Sequence, residues 1–394
     1  MKLPHALTDT PIVFLTGAGA SMPLGLPATK QFLAQFRDSL SAAWLKEGPP
    51  DFASFVAVRL ANTESDIEEV LGSLEEECQA IKLLLQDHTF VQQALSGNPS
   101  LLVNYYQMAD RLVEAIYDKV IQIYGNVDQA RTEALYAGLL GNYMAFFRHL
   151  CGGRPTVPFF TLNYDTAIED ATSRMGIPRT DGILELPGVT GRRWSSTAYT
   201  SYAAPPRDEN DLERIHVVLV KLHGSVRLLR RDDPSGPIFI EAPPGLARNP
   251  PPHTHVVIYP SLLPKPTTSE PFRSGYRLLR ELLTSTNTYC LVVIGFSFRD
   301  TEVTQVLRDA LDDNSNLRLV VVDPALDHRE VARTLHCDQQ RIRVLRVPFD
   351  AEDPDELRRR RGTVVLDALR YWVGQAVGEL PQAPEFGGNL LAQQ

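Results

Sequence analysis

Four short stretches of this chain place glycine, amide, carboxylate, imidazole and hydroxyl groups at points where apolar runs end. They are Gly17-Ala18-Gly19-Ala20-Ser21, Thr161-Leu162-Asn163-Tyr164-Asp165, Lys221-Leu222-His223-Gly224 and Gly295-Phe296-Ser297. Each follows an apolar run that is typical of a buried parallel strand. Because open parallel sheets bind their ligands at the carboxyl ends of the strands, we expect the four stretches to meet at one ligand-binding edge.

The first stretch predicts a loop that binds phosphate. Gly17 and Gly19 permit close approach of a pyrophosphate to the backbone, and amide groups at the start of the next helix would donate to it. A dehydrogenase is disfavoured, because Met22 replaces the third glycine of the G-x-G-x-x-G fingerprint and no acidic residue ends a clear second strand. The alternative is an ordinary tight turn between a strand and a helix. The predicted binding residues of this loop are Gly17, Ala18, Gly19 and Ser21.

The second and third stretches supply the catalytic candidates, which are Asn163, Asp165 and His223. An amide and a carboxylate just past a strand suit polar ligand groups, although the two residues would equally form an Asx turn. Histidine titrates near neutral pH, so His223 suits a general base. A lone histidine at the end of an apolar strand is more often structural, but its expected position opposite Asn163 favours catalysis.

The fourth stretch and the strand after it supply three further candidates for nucleotide binding. Gly295 permits a nucleotide to pack against the backbone, and Ser297 offers a hydroxyl to a phosphate or a ribose. Asp323 ends the following strand, where a carboxylate commonly accepts from ribose hydroxyls. Asp323-Pro324 is also an ordinary turn start, so that alternative stays open.

The apolar pattern predicts the elements that position these residues. Strands are predicted at 11–16, 157–161, 217–222, 291–294 and 317–322. Helical spacing of apolar residues starts with Phe32, Phe36 and Leu40 and continues through a module of several helices at about 40–150. A Pro-rich surface loop is predicted at 242–254 and a last helix at about 355–379.

These elements predict an α/β fold with a Rossmann-like parallel sheet, helices on both of its faces and an inserted helical module. The sheet and the module form one domain at 1–380, and a flexible C-terminal tail is predicted at 381–394.

Composition and charge exclude several classes of protein. The 394 residues are 43% hydrophobic and 22% charged, as in folded soluble proteins, and no apolar run reaches the ~18 residues of a membrane span. The N-terminus lacks the pattern of a signal peptide, so we expect a cytoplasmic protein. A net charge of -9 disfavours nucleic-acid binding, and the basic block from Arg358 to Arg361 follows acidic residues, as at the start of a helix. The four cysteines lie far apart, and neither a zinc site nor a disulfide framework is expected.

The four stretches, in this order, resemble the NAD-binding and catalytic motifs of the sirtuin family. Two further stretches look more like the bacterial sirtuin-like branch found in antiphage defence: Asp66-Ile67-Glu68-Glu69-Val70-Leu71 and Tyr259-Pro260-Ser261-Leu262-Leu263-Pro264-Lys265. The resemblance covers nearly all of residues 10–350. It implies a sheet that binds NAD, with Asn163, Asp165 and His223 at the family's catalytic positions.

The chain departs from the sirtuins that deacylate proteins in two places. Those enzymes resemble one another in a zinc module held by four cysteines after the catalytic histidine, whereas residues 224–290 here contain only Cys290. The segment Met22-Pro23-Leu24-Gly25-Leu26-Pro27 replaces their usual Ala-Gly-Ile-Pro-Asp-Phe-Arg, and a recognisable acetyl-lysine groove segment is missing. The resemblance therefore implies a fold with no zinc module, NAD as a substrate and no metal cofactor.

The function that the resemblance implies is NAD glycohydrolysis, which yields nicotinamide and ADP-ribose. In this reaction Asp165 orients the nicotinamide carboxamide, Asn163 positions the ribose and the incoming water, and His223 acts as a base. The alternatives are a protein deacylase or ADP-ribosyl transferase that uses NAD, and a subunit that binds nucleotides without turnover. Analogy with the defence branch further implies a homo-oligomer and a HerA-type ATPase or another defence-system partner. The helical module is then either the assembly surface or a lid over the NAD pocket.

Overall fold

The computed structural model of the chain describes residues 12–61, 67–87, 99–137, 156–185, 192–201, 216–233, 236–242, 253–257 and 269–346. The strands are β1 Ile12–Thr16, β2 Thr156–Thr161, β3 Arg179–Thr180, β4 Ile183–Glu185, β5 Arg192–Trp194, β6 His216–Lys221, β7 Gly224–Asp233, β8 Gly236–Glu241, β9 His253–Val257, β10 Cys290–Ile294, β11 Arg318–Val322 and β12 Ile342–Leu345. The helices are α1 Thr29–Ser39, α2 Ala42–Lys46, α3 Phe52–Arg59, α4 Ile67–Gln86, α5 Ser100–Tyr124, α6 Gln129–Ala137, α7 Ala167–Arg174, α8 Ala198–Ser201, α9 Phe272–Leu283, α10 Thr301–Asp313 and α11 His328–Leu335. Short 3-10 helices cover Ala18–Ala20, Met22–Leu24 and Gln339–Arg341.

Seven strands form a parallel sheet in the order β12-β11-β10-β1-β2-β6-β3. The order reverses at β1, because β2 and β6 lie on one side of it and β10, β11 and β12 lie on the other. In this register Thr16 pairs with both Ile294 and Thr161, and Thr161 pairs with Lys221. Four strands therefore end at the same level, and the four stretches that follow them share one edge of the sheet. Each of the five predicted strands is found with its ends shifted by at most one residue.

The strands are apolar throughout because helices cover both faces of the sheet. Leu15 and Val293 pack into a core formed with α9, α10 and α11. Phe14 and Val292 point the other way, into a core formed with α6 and α7. Burial of both faces is what an uninterrupted apolar run predicts for a parallel strand. The predicted Rossmann-like sheet with helices on both faces is confirmed.

Helices α1 to α5 form a third apolar cluster between β1 and β2 in the chain. Its buried residues on these helices include Phe32, Phe36, Phe52, Val56, Leu71, Leu74, Leu112, Ile116 and Val120. They recur at helical spacing, so that one stripe of each helix faces the cluster. Tyr164 and Val226 pack into the same cluster. The inserted helical module is therefore confirmed, and it contacts the edge of the sheet where the candidate residues lie.

A second, antiparallel sheet has the strand order β4-β5-β8-β7-β9, and the sequence does not predict it. The prediction of a loop at 242–254 is wrong at its C-terminal end. There His253 and Thr254 belong to β9 and pair with Arg231 and Arg230 in β7. Its residues 243–252 lie outside the described residues. Strand β7 mixes the buried Leu229 with arginines, as expected where one face of an antiparallel sheet meets solvent. Such a mixed run is a weaker sequence signal than an uninterrupted apolar one.

Several predicted features lie outside the described residues, among them the helix at 355–379, the tail at 381–394, and the basic block from Arg358 to Arg361. Among the cysteines that the structure describes, Cys78, Cys290 and Cys337 are free thiols, and burial raises the pKa of each. Within the described ranges, no helix combines the length and the hydropathy needed to cross a membrane.

Candidate active site

The loop after β1 and the loop after β10 touch through their backbones. The Gly17 amide donates to the Ile294 carbonyl and the Gly19 amide donates to the Gly295 carbonyl, each at 2.9 Å. A Cβ atom on Gly17 would lie 2.7 Å from the Gly295 oxygen, and one on Gly295 would lie 2.3 Å from the Ala20 nitrogen. Gly295 also has a φ of +62°, in the left-handed region that favours glycine. Glycine is therefore required here for the two loops to pack at the switch point of the sheet.

The helix that the sequence predicts after the glycine loop is found, but it does not follow the loop directly. Two 3-10 helices follow Gly17, and α1 begins only at Thr29. The amides of four loop residues donate to backbone carbonyls of the protein: Gly17, Gly19, Ala20 and Ser21. Gly17 and Gly19 donate to residues of the segment that ends β10, and Ala20 and Ser21 donate within the glycine loop, so amides that a phosphate would need are engaged. Phosphate binding by this loop stays a prediction, and Ala18 is its solvent-exposed residue.

Ser21 joins the glycine loop to the loop after β2. Its hydroxyl donates to Asp165 Oδ2 at 2.6 Å and accepts from Asn163 Nδ2 at 2.7 Å. Asn163 Nδ2 also donates to the Gly17 carbonyl at 2.9 Å. Both hydrogens of the Asn163 amide are therefore engaged, and Oδ1 is the atom of this side chain that can serve a ligand, as an acceptor. The structure brings four of the predicted residues, Gly17, Ser21, Asn163 and Asp165, into one hydrogen-bonded network.

The Asp165 carboxylate is only 4% exposed. Its Oδ1 accepts from the Ala167 amide at 3.0 Å, so both oxygens are hydrogen-bonded within the protein. Lys221 Nζ donates to the Asp165 backbone carbonyl and pairs with Glu169 Oε1 at 2.8 Å. Burial raises the pKa of Asp165, while Lys221 and the hydrogen bond from Ser21 oppose that rise. The sequence assigns no role to Lys221 or Glu169, because their ion pair becomes visible only when β6 and α7 are packed together.

His223 follows β6 and is paired with a carboxylate at the start of α10. Its Nε2 lies 2.9 Å from Asp300 Oδ2, and the two side chains are 5% and 6% exposed. Asp300 caps α10, since its Oδ1 accepts from the Val303 amide at 2.9 Å. An aspartate directly before a helical run is a recognisable capping signal in a sequence. The sequence does not show that this cap faces His223, so reasoning from the sequence leaves Asp300 without a role.

The turn that brings Asp300 to His223 contains an uncommon backbone conformation. Phe298 has a φ of 59°, in the left-handed region that bulky side chains rarely adopt. Its ring is buried, with its centroid 4.9 Å from that of Phe296. The Thr304 hydroxyl donates to the Phe298 carbonyl at 3.1 Å. Strained residues of this kind are held by their surroundings and cluster at functional sites.

The helical module reaches the site through aromatic residues. The Tyr164 ring centroid lies 6.5 Å from that of His223 and 6.0 Å from that of Tyr124, at the end of α5. The Tyr124 hydroxyl donates to the Pro27 carbonyl at 2.9 Å. Helix α5 therefore contacts both the loop after β2 and the segment that follows the glycine loop. A shift of α5 would move the groups beside the catalytic candidates.

The other predicted binding residues lie at the same edge of the sheet. Ser297 is exposed in the loop after β10. Asp323 follows β11, and its Oδ1 accepts from the amides of Ala325 and Leu326 at 2.8 and 3.2 Å. These bonds are those of the turn that the alternative interpretation expects. Ribose binding by Asp323 stays a prediction and would use its other oxygen.

A cleft of about 590 Å³ lies next to the helical module. Its lining residues are Leu24, Gly25, Leu26, Pro27, Gln35, Gln122, Ile123, Gly125, Asn126, Val127, Asp128, Gln129 and Asp170. Asn163, Asp165 and His223 do not line it, so this cleft and the catalytic candidates are separate. Across the described part of the chain, no group of three or more His, Cys, Asp or Glu side chains is placed to hold a metal ion.

The polar groups after β2, β6 and β10 lie between residues 163 and 300 of the chain. Residues 157–341 match the family of the SIR2-like domain. The matched residues include Asn163, Asp165, His223 and Asp300, together with Gly295. The glycine loop and the helical module precede it in the chain.

Solved structures of Sir2 homologues show a weak likeness to the chain. One is a complex of a Sir2 homologue with NAD, at 14% identity and a TM-score of 0.38, and the alignment covers 94% of this chain and 93% of that one. Two others are point mutants of a Sir2 homologue in complex with ADP-ribose, at 13% identity and TM-scores of 0.39 and 0.40. Each of these alignments covers 96% of this chain and 98% of the other. No curated protein matches the chain.

Proposed function

We propose that the chain is an NAD glycohydrolase that cleaves the bond between nicotinamide and ribose. The observation that carries the proposal is the meeting of Asn163, His223 and the glycine loop at the switch point of a parallel sheet. Open α/β sheets bind nucleotides at that point. The same residues carry the resemblance to sirtuin motifs, and Asn163 and His223 lie inside the SIR2-like match.

The proposed reaction breaks the bond between the ribose C1′ and the nicotinamide nitrogen. The bonding electrons leave with nicotinamide, whose ring loses its positive charge, and the ribosyl carbon gains oxocarbenium character, as in glycoside hydrolysis. A water oxygen then bonds to that carbon, and the water gives up one proton. The products are nicotinamide, ADP-ribose and a proton, so NAD and water are the only reactants.

Asn163 binds the incoming water or a ribose hydroxyl through Oδ1. Its Nδ2 holds the Gly17 carbonyl and the Ser21 hydroxyl, so the amide cannot turn over without breaking both hydrogen bonds. An acceptor that is held in one orientation places a hydroxyl donor before the reaction begins, which lowers the entropic cost of reaching the transition state.

Asp165 has two roles in the proposal. Its carboxylate fixes Ser21, and through Ser21 it fixes the glycine loop. A carboxylate oxygen can accept a second hydrogen bond, and in the proposal this one comes from the nicotinamide carboxamide. Because Asp165 is 4% exposed, the carboxamide would have to enter deeply between the loops after β1 and β2.

We propose water, rather than an acylated lysine, as the group that reacts with the ribosyl carbon. Residues 224–290 contain a single cysteine, Cys290, and this residue is buried inside β10. The four-cysteine module of the deacylating sirtuins therefore has no counterpart in this stretch of the sequence. Strands β7, β8 and β9 of the antiparallel sheet follow His223 instead.

The cellular role that we propose is depletion of NAD in the bacterial cytoplasm during antiphage defence. Control by self-assembly, or by a second protein such as a HerA-type ATPase, is part of this proposal. The contact of α5 with the site through Tyr124 and Tyr164 supports it, because a partner on the helical module could move these side chains. Light scattering combined with an activity assay tests the control, and a monomer with full activity alone would contradict it.

Nicotinamide release from NAD by the purified full chain tests the proposed reaction. Wild type should release nicotinamide without any acyl-peptide, and His223→Ala should lower the rate by about 10²- to 10⁴-fold, as expected for loss of a general base. His328→Ala, at the start of α11, is the matched control and should keep the wild-type rate.

The other outcomes separate the alternatives. Release that requires an acyl-peptide would indicate a deacylase. Tight NAD binding without release, also in the presence of the activating partner, would indicate a binding subunit. An equal rate in wild type and His223→Ala would show that His223 is not the base.

A further inference from the structure

We propose that Asp300 is a positioning residue that holds His223 in one tautomer, so that Nδ1 is the nitrogen that takes up the proton. The inference rests on the proposed function, in which His223 is the base. It goes beyond that function by naming the reacting atom of the histidine and by giving a role to a residue outside the four motif stretches.

The tautomer follows from the contact between the two side chains. His223 Nε2 lies 2.9 Å from Asp300 Oδ2. An ionised carboxylate only accepts hydrogen bonds, so the hydrogen of this bond belongs to Nε2. In the neutral ring the lone pair then lies on Nδ1. Because the side chains are 5% and 6% exposed, water competes little for this hydrogen bond.

The position and charge of Asp300 are set by α10. Its Oδ1 accepts from the Val303 amide in the first turn of this 13-residue helix. The partial positive charge at a helix N-terminus favours an ionised carboxylate there. The backbone of Phe298 and the bond from Thr304 hold the preceding turn. Asp300 is therefore fixed by its own helix, and the ring of His223 is oriented against it.

A tyrosine on the neighbouring helix α9 does not replace Asp300 in this role. Within the described residues, the Tyr276 hydroxyl is buried without a hydrogen-bond partner. Burial, followed by the charges of Asp300 and Glu302, raises the pKa of Tyr276. Its hydroxyl stays protonated, so it is neither a base nor an ionised partner for His223.

All protons are accounted for when water attacks the ribosyl carbon with His223 as the base. One O–H bond of the water breaks, its electron pair stays on the oxygen that bonds to the ribosyl carbon, and the proton moves to Nδ1 of His223. The resulting imidazolium keeps its Nε2 hydrogen in the bond to Asp300 Oδ2, where the carboxylate stabilises the new positive charge. The imidazolium then returns the proton to solvent.

Asp300→Asn tests the tautomer while keeping the helix cap. Asparagine caps helices as well as aspartate does, so Oδ1 can still accept from Val303. The new Nδ2 faces His223 and donates to Nε2. The ring hydrogen then lies on Nδ1, so Nδ1 has no lone pair to take up a proton from water. Asp327→Asn is the matched control: Asp327 caps α11 by accepting from the amides of Arg329 and Glu330.

Two measurements distinguish positioning from a structural effect. We expect kcat for nicotinamide release to fall by about 10²- to 10⁴-fold in Asp300→Asn, the range bounded by the aspartate-to-asparagine change in a Ser-His-Asp triad, with little change in KM. Nitrogen-15 NMR of the histidine-labelled full chain reports the tautomer, with His223 signals assigned by their loss in His223→Gln. Wild type and Asp327→Asn should show a protonated Nε2, and Asp300→Asn a protonated Nδ1.

Each outcome decides the inference. A wild-type His223 with its hydrogen on Nδ1, or a tautomer unchanged in Asp300→Asn, would overturn it. So would a tautomer that switches without a loss of kcat. If wild type does not hydrolyse NAD, the proposed function fails, whereas the NMR comparison still shows whether Asp300 sets the tautomer of His223.

Discussion

Two polar groups lie at the same edge of the sheet and are built in different ways. The network of Asn163, Ser21 and Asp165 joins the loops after the inner strands β1 and β2, and each of its side chains has at least two hydrogen bonds. The pair of His223 and Asp300 joins the segments after β6 and β10, the strands that flank β2 and β1, and His223 Nε2 lies 2.9 Å from Asp300 Oδ2.

The difference indicates that the network positions the loops, whereas the pair exchanges a proton. Every hydrogen that Asn163 Nδ2 and the Ser21 hydroxyl can donate is engaged, so the network holds loops in place and has no proton to exchange. His223 can gain and lose a proton without breaking its contact with Asp300. Changes in the network should therefore lower both stability and turnover, whereas changes in the pair should lower turnover with a smaller effect on stability.

Asn163→Asp should give the largest combined loss of turnover and stability. A carboxylate at this position has no hydrogen for the Gly17 carbonyl or for Ser21, and it lies beside the Asp165 carboxylate. We expect nicotinamide release to be abolished and the free energy of unfolding to fall by about 1–3 kcal/mol for each polar group left without a partner. Chemical denaturation of this variant beside His223→Ala provides the comparison. If Asn163→Asp is as stable as His223→Ala, the network does not hold the loops.

Gly295→Ala should have the next largest effect, and Gly176→Ala is its matched control. Both residues have a positive φ, +62° and +64°, so both substitutions incur the cost of about 1–2 kcal/mol for a left-handed conformation. A Cβ on Gly295 would meet Ala20 at 2.3 Å, whereas one on Gly176 has no atom within 4 Å. Thermal unfolding should show a further loss of about 1–3 kcal/mol for Gly295→Ala alone. If both variants lose the same stability and keep the wild-type turnover, the contact between the loops after β1 and β10 contributes to neither stability nor turnover.

The smallest expected effect is the dependence of stability on pH that Asp165 introduces. Burial raises its pKa in the folded state above the unfolded value, so the folded state binds this proton more tightly. The contribution to stability is complete below the unfolded pKa and is lost as pH rises through the folded pKa. Wild type should therefore lose stability relative to Asp165→Asn over that window, as measured by denaturant unfolding at a series of pH values. If wild type instead gains stability relative to Asp165→Asn as pH rises, the attraction of Lys221 for the carboxylate outweighs the effect of burial.

The frame of the sheet could be predicted from short stretches of sequence. Runs such as Leu291–Ile294 are apolar because both faces of a central strand are covered, and this burial is visible in the run itself. Asn163 and His223 could be found for the same reason, since each follows the end of such a run. The glycine loop could be found as a tight turn, and the following helix could be found from the spacing of Phe32 and Phe36, but the two 3-10 helices between them could not.

The antiparallel sheet and the partners of the candidate residues could not be predicted in this way. Strand β7 mixes charged and apolar residues, and the pairing of β9 with it begins in a stretch rich in proline. Asp300 could be recognised only as a helix cap, because its second oxygen reaches a histidine that follows β6, a strand not adjacent to β10 in the sheet.

By itself, the sequence determined where the strands of the parallel sheet run, which residues follow their carboxyl ends, and that helices occupy the region between β1 and β2. These properties depend on local periodicity, which a chain expresses whatever its final topology. The tertiary structure alone decided that Gly295 packs against Gly19, that Ser21 joins Asn163 to Asp165, and that Asp300 faces His223. Such contacts join residues far apart in the chain, and they exist only because the order of the strands and the packing of the helices bring their loops to one edge.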